Sequence, residues 1–207
     1  MRVYHFLDRK FGIKALKDRR LKIARLHELN DPFEFLSVDL SDQILHDAFA
    51  RTKLQISERD GLLCFSKHWH NPVLWSHYAE KHRGICLGFD MPLIPPSQVS
   101  YVDTRFPMPE YYNQEFVRKL LFTKFKHWEY EEEYRVYISL NESIDGLYFA
   151  DFGNNLILKS IILGLESSIE QPEIMDALGD IGHSVQLFKV KPSATHFRFL
   201  RTKAFSK

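Results

Sequence analysis

The sequence has few cysteines and no long apolar run. Its 207 residues include two cysteines, Cys64 and Cys86, which form no C-x-x-C pattern and lie in apolar segments. We therefore expect both to be buried free thiols. No apolar run approaches the roughly 20 residues that a membrane-spanning helix needs, and the residues after Met1 lack the apolar stretch of a signal peptide. These absences predict a cytoplasmic protein with no membrane partner.

Several signatures of catalysis are also missing. The sequence contains neither glycine-rich phosphate loop, G-x-G-x-x-G or G-x-x-x-x-G-K-[ST], and no G-x-S-x-G nucleophile turn. Kinase, P-loop and hydrolase functions therefore lack support. His68-x-His70 and the cysteines do not have the spacing of a zinc site, so we expect no bound metal. The net charge of +1 argues against a protein built around non-specific nucleic-acid binding.

Apolar residues, by contrast, are plentiful. They make up 44% of the chain and include 17 phenylalanines, which is ample for a core, and the length fits one domain over residues 1–207. Strand patterns outnumber helical ones and do not alternate regularly with them. We therefore predict an α+β fold with a mixed, split β-sheet and flanking helices. The predicted strands are 3–7, 21–26, 61–66, 84–90, 98–103, 158–164, 184–190 and 195–201, and the predicted helices are 11–20, 40–54, 72–81, 109–126 and 167–178.

A dense group of charges comes directly before a β-branched and aromatic segment. Residues 128–135 read Trp-Glu-Tyr-Glu-Glu-Glu-Tyr-Arg and lead into Val-Tyr-Ile-Ser-Leu. Because alternate residues of a strand share a face, Glu131, Glu133, Arg135 and Tyr137 are expected on one side. The opposite side carries Glu132, followed by three residues that suit a core: Tyr134, Val136 and Ile138.

The charged face has two interpretations. Arg135 pairs with one glutamate in a structural network, or the two carboxylates repel, so that the pKa of one rises and prepares it for catalysis. Other candidates also have two interpretations each. His5 is a core residue or a ligand contact, Asn30-Asp31-Pro32 is a turn that starts a helix or part of a site, and Arg83 is solvated or clamps a phosphate.

Several motifs together resemble the bacterial family called domain of unknown function 2971. The resemblance extends from Tyr4 to about Gly164 and implies relatives in phage-defence and abortive-infection systems. The motifs are Asn30-Asp31-Pro32-Phe33-Glu34, Phe65-Ser66, Leu74-Trp75-Ser76-His77-Tyr78-Ala79, Arg83-Gly84-Ile85-Cys86-Leu87-Gly88-Phe89-Asp90 and Lys124-x-x-x-Trp128-x-Tyr130-Glu131-x-Glu133-x-Arg135.

The order of a first-strand histidine, a middle-strand serine and a late Glu-x-Glu strand is similar to the ADP-ribosyltransferase superfamily. The resemblance implies that the protein binds NAD and transfers ADP-ribose to a macromolecule, either protein or nucleic acid, with a role in phage defence. Carried onto this sequence, it implies that Glu133, Glu131 and His5 are catalytic. It further implies that NAD is held by His5, Tyr4, Ser66, Trp75, Tyr78, Arg83 and Arg135.

The implied roles follow from the chemistry of the nicotinamide–ribose bond. Its cleavage builds positive charge on the sugar, which a carboxylate such as Glu133 would stabilise. Tyr4, Trp75 and Tyr78 would stack on the rings, and Arg83 would meet the pyrophosphate.

Two alternatives remain open. One is a non-catalytic sensing or interaction module, in which Glu131, Glu133 and Arg135 are fully paired and closed off from any pocket. The other is a nuclease in which Asp31, Glu34 and Glu133 converge on a magnesium ion.

Overall fold

The computed structural model describes residues 1–202, without the side chains of 181–183. Its α+β class agrees with the prediction. The strands are β1 Arg2–Leu7, β2 Arg20–Arg25, β3 Asp60–Ser66, β4 Ile85–Asp90, β5 Ser97–Gln98, β6 Ser100–Val102, β7 Thr123–Phe125, β8 Glu133–Ser139, β9 Tyr148–Asp151, β10 Ile157–Leu163, β11 Gln186–Pro192 and β12 Phe199–Arg201. The α-helices are α1 Arg9–Asp18, α2 Gln43–Arg59, α3 Pro72–Tyr78, α4 Gln114–Leu121 and α5 Gln171–Leu178. Short 3-10 turns are Leu26–Glu28, Lys126–Glu131 and Gly179–Ser184.

The chain divides into two compact units, each made from separate segments. The first unit contains Met1–Leu21, Phe65–Pro95 and Ala150–Lys207, and the second contains Lys22–Cys64 and Pro96–Phe149. The chain passes from one unit to the other four times, within β2, β3 and β9 and in the loop between Pro95 and Pro96. None of the helices in residues 1–202 is long and apolar enough to cross a bilayer.

The first unit is built on a mixed sheet with the strand order β12-β11-β10-β4-β1. The pair β10–β11 is parallel, and the other neighbouring strands are antiparallel. The central strands are buried, and Ile85, Leu87 and Ile161 have no exposed surface. Helix α1 packs closely on β4 at Gly12. A Cβ atom added at this position would lie only 1.9 Å from Cγ2 of Ile85.

In the second unit, β3 pairs with β2 and β8, and β8 pairs in turn with β5. A separate parallel pair joins β6 to β7. The apolar core of this unit includes Leu26, Phe35, Val38, Leu40, Phe49, Ile56, Leu62, Leu120 and Leu121.

The helices begin at capping side chains that the sequence provides. Asp8 accepts a hydrogen bond from the Phe11 amide at 2.7 Å, and Asp42 accepts one from the Ile44 amide at 2.8 Å. Such contacts satisfy amides that have no partner within the helix. Asn113 caps α4 in the same way through the amide of Phe116.

Three helix predictions were wrong in extent, each for a local reason. The helix predicted at 109–126 begins only after its cap, Asn113, and it ends at Leu121, before β7 pairs with β6. The helix predicted at 72–81 ends at Tyr78, because residues 80–82 have positive φ. The helix predicted at 167–178 starts at Gln171, next to a proline in its first turn.

Other segments also differ from prediction. The strand predicted at 195–201 begins only at Phe199, and the one predicted at 98–103 is divided into β5 and β6. Strand β9 lies where no strand was predicted. The turn at Asn30-Asp31-Pro32 is present, but no helix follows it, because Phe35 takes up a left-handed conformation with φ of 68°.

Candidate functional site

The charged segment that was predicted as one strand has two conformations. Glu131 ends a 3-10 turn, Glu132 has a left-handed φ of 42°, and β8 begins at Glu133. The prediction that the charged residues share a face holds for Glu131, Glu133 and Arg135, which are all buried. Tyr137 was expected beside them but is 37% exposed. On the opposite side, only Val136 is fully buried, while Tyr134 and Ile138 are half-buried.

Arg135 is the centre of a buried ion-pair cluster in the second unit. Its Nε donates to Glu133 at 2.7 Å, and its Nη2 donates to the other oxygen of that carboxylate at 3.0 Å. Both Nη atoms also donate to Glu34, one of them at 2.9 Å, and Nη1 donates to the carbonyl of Leu121 at 2.7 Å. Because arginine has five N–H groups, these bonds use all of them.

Lys124 is the second cation of the cluster. Its Nζ lies 2.6 Å from Glu131 and 3.1 Å from Glu133, and the side chain is only 3% exposed. The ammonium group also lies 4.8 Å from the ring centre of Trp128. Lys124 therefore holds Glu131 and Glu133 together although their charges repel.

The turn at Asp31 brings Glu34 to Arg135. The Asp31 carboxylate accepts a hydrogen bond from the Phe33 amide at 2.9 Å, and its carbonyl accepts one from the Glu34 amide at 3.1 Å. The second oxygen of Asp31 is buried and has no hydrogen-bond partner among the residues that the structure describes. The structural role of this motif is therefore to aim Glu34 at the guanidinium.

The cluster shifts the pKa values of its acids in different directions. Burial alone would raise the pKa of Glu133, but the charges of Arg135 and Lys124 outweigh it and lower that pKa to about 2. The shift is opposite in sign to the one that repulsion between Glu131 and Glu133 predicts. For Glu34, burial outweighs Arg135 and raises the pKa. Burial and the nearby Glu133 also raise the pKa of the Cys64 thiol.

The acids of the cluster do not leave room for a cation between them. Glu34 and Glu133 do converge, but the guanidinium of Arg135 lies between their carboxylates. Among residues 1–202, no group of three or more histidine, cysteine, aspartate or glutamate side chains has metal-binding geometry. The convergence that a magnesium-dependent nuclease requires is thus absent from the described residues.

The histidine and serine candidates lie in the first unit. Tyr4 of β1 is the Cα partner of Ser66 at the end of β3, and His5 follows it on β1. The His5 ring makes an edge contact with Phe65, with centroids 5.7 Å apart. Ser66 is 7% exposed, whereas Tyr4 and His5 are half-buried. The structure thus brings Tyr4 and Ser66 together on one face of the sheet, whereas His5, the next residue of β1, lies on the opposite face with Phe65.

The other candidates for NAD binding in this unit differ in accessibility. Trp75 has no exposed surface, and its indole N–H donates to the carbonyl of Trp69 at 2.6 Å. Tyr78 is half-buried at the end of α3, with its ring centre 6.0 Å from that of His77. Arg83 is exposed. Of these, Trp75 offers no ring face to a ligand in this conformation.

Sequence reasoning missed three features of these sites. The pairing of Lys124 with Glu131 was not foreseen, because Lys124 lies in β7 and Glu131 ends the 3-10 turn that follows, so no single regular element relates the two residues. The backbone carbonyl of Leu121 has no sequence signature. Both cysteines are thiols, as predicted, and Cys86 is buried, but Cys64 is only half-buried, and its contact with Glu133 was not foreseen.

Comparisons with known proteins add no further evidence. No family model, curated protein or solved structure matches this chain.

Proposed function

We propose that this protein binds NAD through its first unit. The observation that carries the proposal is the register of β1 and β3, in which Tyr4 and Ser66 are Cα partners on one face of the sheet, while His5 lies on the other face. The ADP-ribosyltransferase resemblance predicts a first-strand histidine and a middle-strand serine at the nucleotide. Two strands remote in sequence therefore meet at the residues that the resemblance selects, which supports NAD as the ligand.

Transfer of ADP-ribose to a macromolecular target, in defence against phage, is the reaction that we propose to test. With a pKa of about 2, Glu133 carries its negative charge at neutral pH. An ionised carboxylate is the group that would stabilise positive charge on the ribose as nicotinamide leaves.

A non-catalytic sensing or interaction module is the second candidate function. It is favoured by the pairing of Glu133, whose side chain is 6% exposed and contacts both Arg135 and Lys124. A carboxylate that is already neutralised by two cations has less charge to offer a substrate. In this alternative the protein binds its ligand and transfers nothing.

One experiment separates the two functions. Binding of NAD is measured by titration calorimetry, and release of nicotinamide is followed by chromatography for the wild type, Glu133→Gln and Glu132→Gln. Glu132 is the matched control, because it is the neighbouring glutamate and is exposed. A transferase is expected to release nicotinamide, and Glu133→Gln should abolish the release while Glu132→Gln preserves it.

The remaining outcomes are also informative. Binding of NAD by the wild type without any nicotinamide release would identify the non-catalytic module. If the wild type produces no binding heat with NAD, the NAD proposal is abandoned. A circular dichroism spectrum of Glu133→Gln is needed alongside, because removal of a buried charge also destabilises the fold.

A further inference from the structure

The near-neutral net charge of the chain hides a strong difference between its two units. The first unit has 17 lysine and arginine residues against 10 aspartate and glutamate residues, a net charge of +7. The second has 11 against 17, a net charge of −6. A unit with this excess of positive charge attracts anionic ligands. The first unit is therefore the part of the chain suited to a phosphate-bearing ligand.

A pocket of about 290 Å³ lies in the first unit beside the candidate NAD residues. It is lined in part by Tyr4, His68, Trp69, His70 and Arg198. Its volume is near the lower end of the roughly 300–1,000 Å³ range of ligand pockets. The pocket would therefore accept one part of a dinucleotide rather than the whole molecule.

Hydrogen bonds to backbone groups fix the residues that line this pocket. The carbonyl of His70 accepts from the Phe199 amide at 2.8 Å, and the carbonyl of Trp69 accepts from the Trp75 indole at 2.6 Å. The backbone of Arg198 is held at both ends, since its amide donates to His196 at 2.8 Å and its carbonyl accepts from Ser193 at 3.0 Å. These bonds fix the backbone of the lining, which reduces the entropic cost of binding a ligand.

The side chains of the pocket suit an oxyanion. Arg198 is exposed and forms no salt bridge with any residue in 1–202. The imidazole rings of His68 and His70 lie 4.9 Å apart and add further N–H donors. The hydroxyl of Tyr4 is protonated at neutral pH, as tyrosine ordinarily is, and burial raises its pKa further, so it is able to donate to a phosphate oxygen. A guanidinium forms charge-assisted and often bidentate bonds with phosphate.

We infer that this pocket binds the pyrophosphate of NAD, with Arg198 as its principal cation and Tyr4, His68 and His70 as further donors. The inference rests on the proposed NAD-binding function. It gives the pyrophosphate a different partner from the one that the sequence predicted, because Arg83 is not among the residues that line the pocket.

The test compares two exposed arginines of the same unit. Titration calorimetry with NAD, ADP-ribose and inorganic pyrophosphate is performed on the wild type, Arg198→Gln and Arg83→Gln. Loss of a charge-assisted hydrogen bond to phosphate is expected to weaken binding of all three ligands to Arg198→Gln by about 10-fold to 100-fold. Arg83→Gln should bind them like the wild type. A second pocket variant, His68→Gln, should weaken the same ligands to a smaller extent.

The outcomes distinguish this inference from the function on which it rests. If NAD binds equally well to the wild type and to Arg198→Gln, the pocket assignment is overturned while the NAD-binding function stands. The same holds if Arg83→Gln is the variant that loses affinity. If the wild type does not bind NAD at all, both fail together. Since Arg198 is exposed, its replacement is not expected to unfold the protein.

Discussion

At the scale of single residues, Arg135 determines whether the acids of the second unit are tolerated in its interior. A buried carboxylate costs several kcal/mol unless it is paired and hydrogen-bonded. Arg135 pairs with both Glu34 and Glu133 and is itself 1% exposed. Its planar guanidinium donates five hydrogen bonds to two carboxylates and a carbonyl, whereas an ammonium group has only three donors.

Replacement of Arg135 by lysine should therefore destabilise the protein although the charge is retained. Lysine has three donors on a single atom and cannot replace five bonds to three groups, so we expect the free energy of unfolding to fall by about 3 kcal/mol. Urea denaturation followed by fluorescence measures the change. Arg105→Lys is the control, because Arg105 is exposed, and it should change stability by less than about 0.5 kcal/mol. Equal losses in the two variants would contradict this account.

The residues of this cluster were partly predictable. The alternating charges at 131, 133 and 135 indicated a shared face, and a buried ion-pair network was one of two stated interpretations. The sequence could not decide between them, because the deciding contacts come from Glu34 and Lys124 in distant or irregular segments. The cations that lower the pKa of Glu133 are set by tertiary structure, and no local pattern encodes them.

At the scale of elements, positions were predicted better than boundaries. Apolar patterns correctly indicated the presence of α1, α2 and the buried strand β4, although α2 was predicted at 40–54 and is Gln43–Arg59. The error at 109–126 has a clear cause: helical spacing continues through Thr123–Phe125, but pairing with β6 draws these residues into a strand. The two strands are about 20 residues apart in the sequence. A search for hydrophobic periodicity within a short stretch of sequence therefore does not detect their pairing.

The close contact between α1 and β4 leads to a prediction for Gly12. A Cβ atom at this position would lie 1.9 Å from Cγ2 and 3.3 Å from Cβ of Ile85. Gly12→Ala should therefore lower the free energy of unfolding by about 1–3 kcal/mol, even though alanine is favoured in helices by about 1 kcal/mol.

Gly153→Ala provides the control for this prediction. A Cβ atom at Gly153 would have no neighbour within 4 Å, so the stability should stay within about 0.5 kcal/mol of the wild type. Thermal denaturation of both variants checks the expectation. A Gly12→Ala protein as stable as the wild type would show that the helix shifts freely on the strand.

At the scale of the whole molecule, the net charge of the chain hides the different charges of its two units. A net charge of +1 argued against electrostatic attraction of nucleic acids or other polyanions. The division into units revises that conclusion, because values of +7 and −6 almost cancel in the sum. Three of the four boundaries between the units could not be predicted from the sequence, since they fall inside strands, and only the one between Pro95 and Pro96 lies in a proline-rich loop.

The charge difference predicts how ligand binding responds to salt. Affinity for NAD should fall severalfold when NaCl is raised from about 0.05 M to about 0.5 M, because salt screens the positive charge of the first unit. Calorimetric titrations at several salt concentrations measure the effect. Adenosine, which has no charge, serves as the comparison ligand, and its binding should not weaken over the same range. An NAD affinity that does not depend on salt would exclude a role for this charge.

The ion pair between Glu34 and Arg135 also constrains when the second unit can fold during its synthesis. The two residues are 101 positions apart, so Glu34 leaves the ribosome long before its partner is synthesised. Until then, the turn at Asp31 cannot be buried without leaving a carboxylate unpaired in an apolar environment. The second unit is therefore expected to stay open during translation and to close only when β8 has emerged. The buried ion pair between Glu34 and Arg135 therefore forms only after β8 has been synthesised.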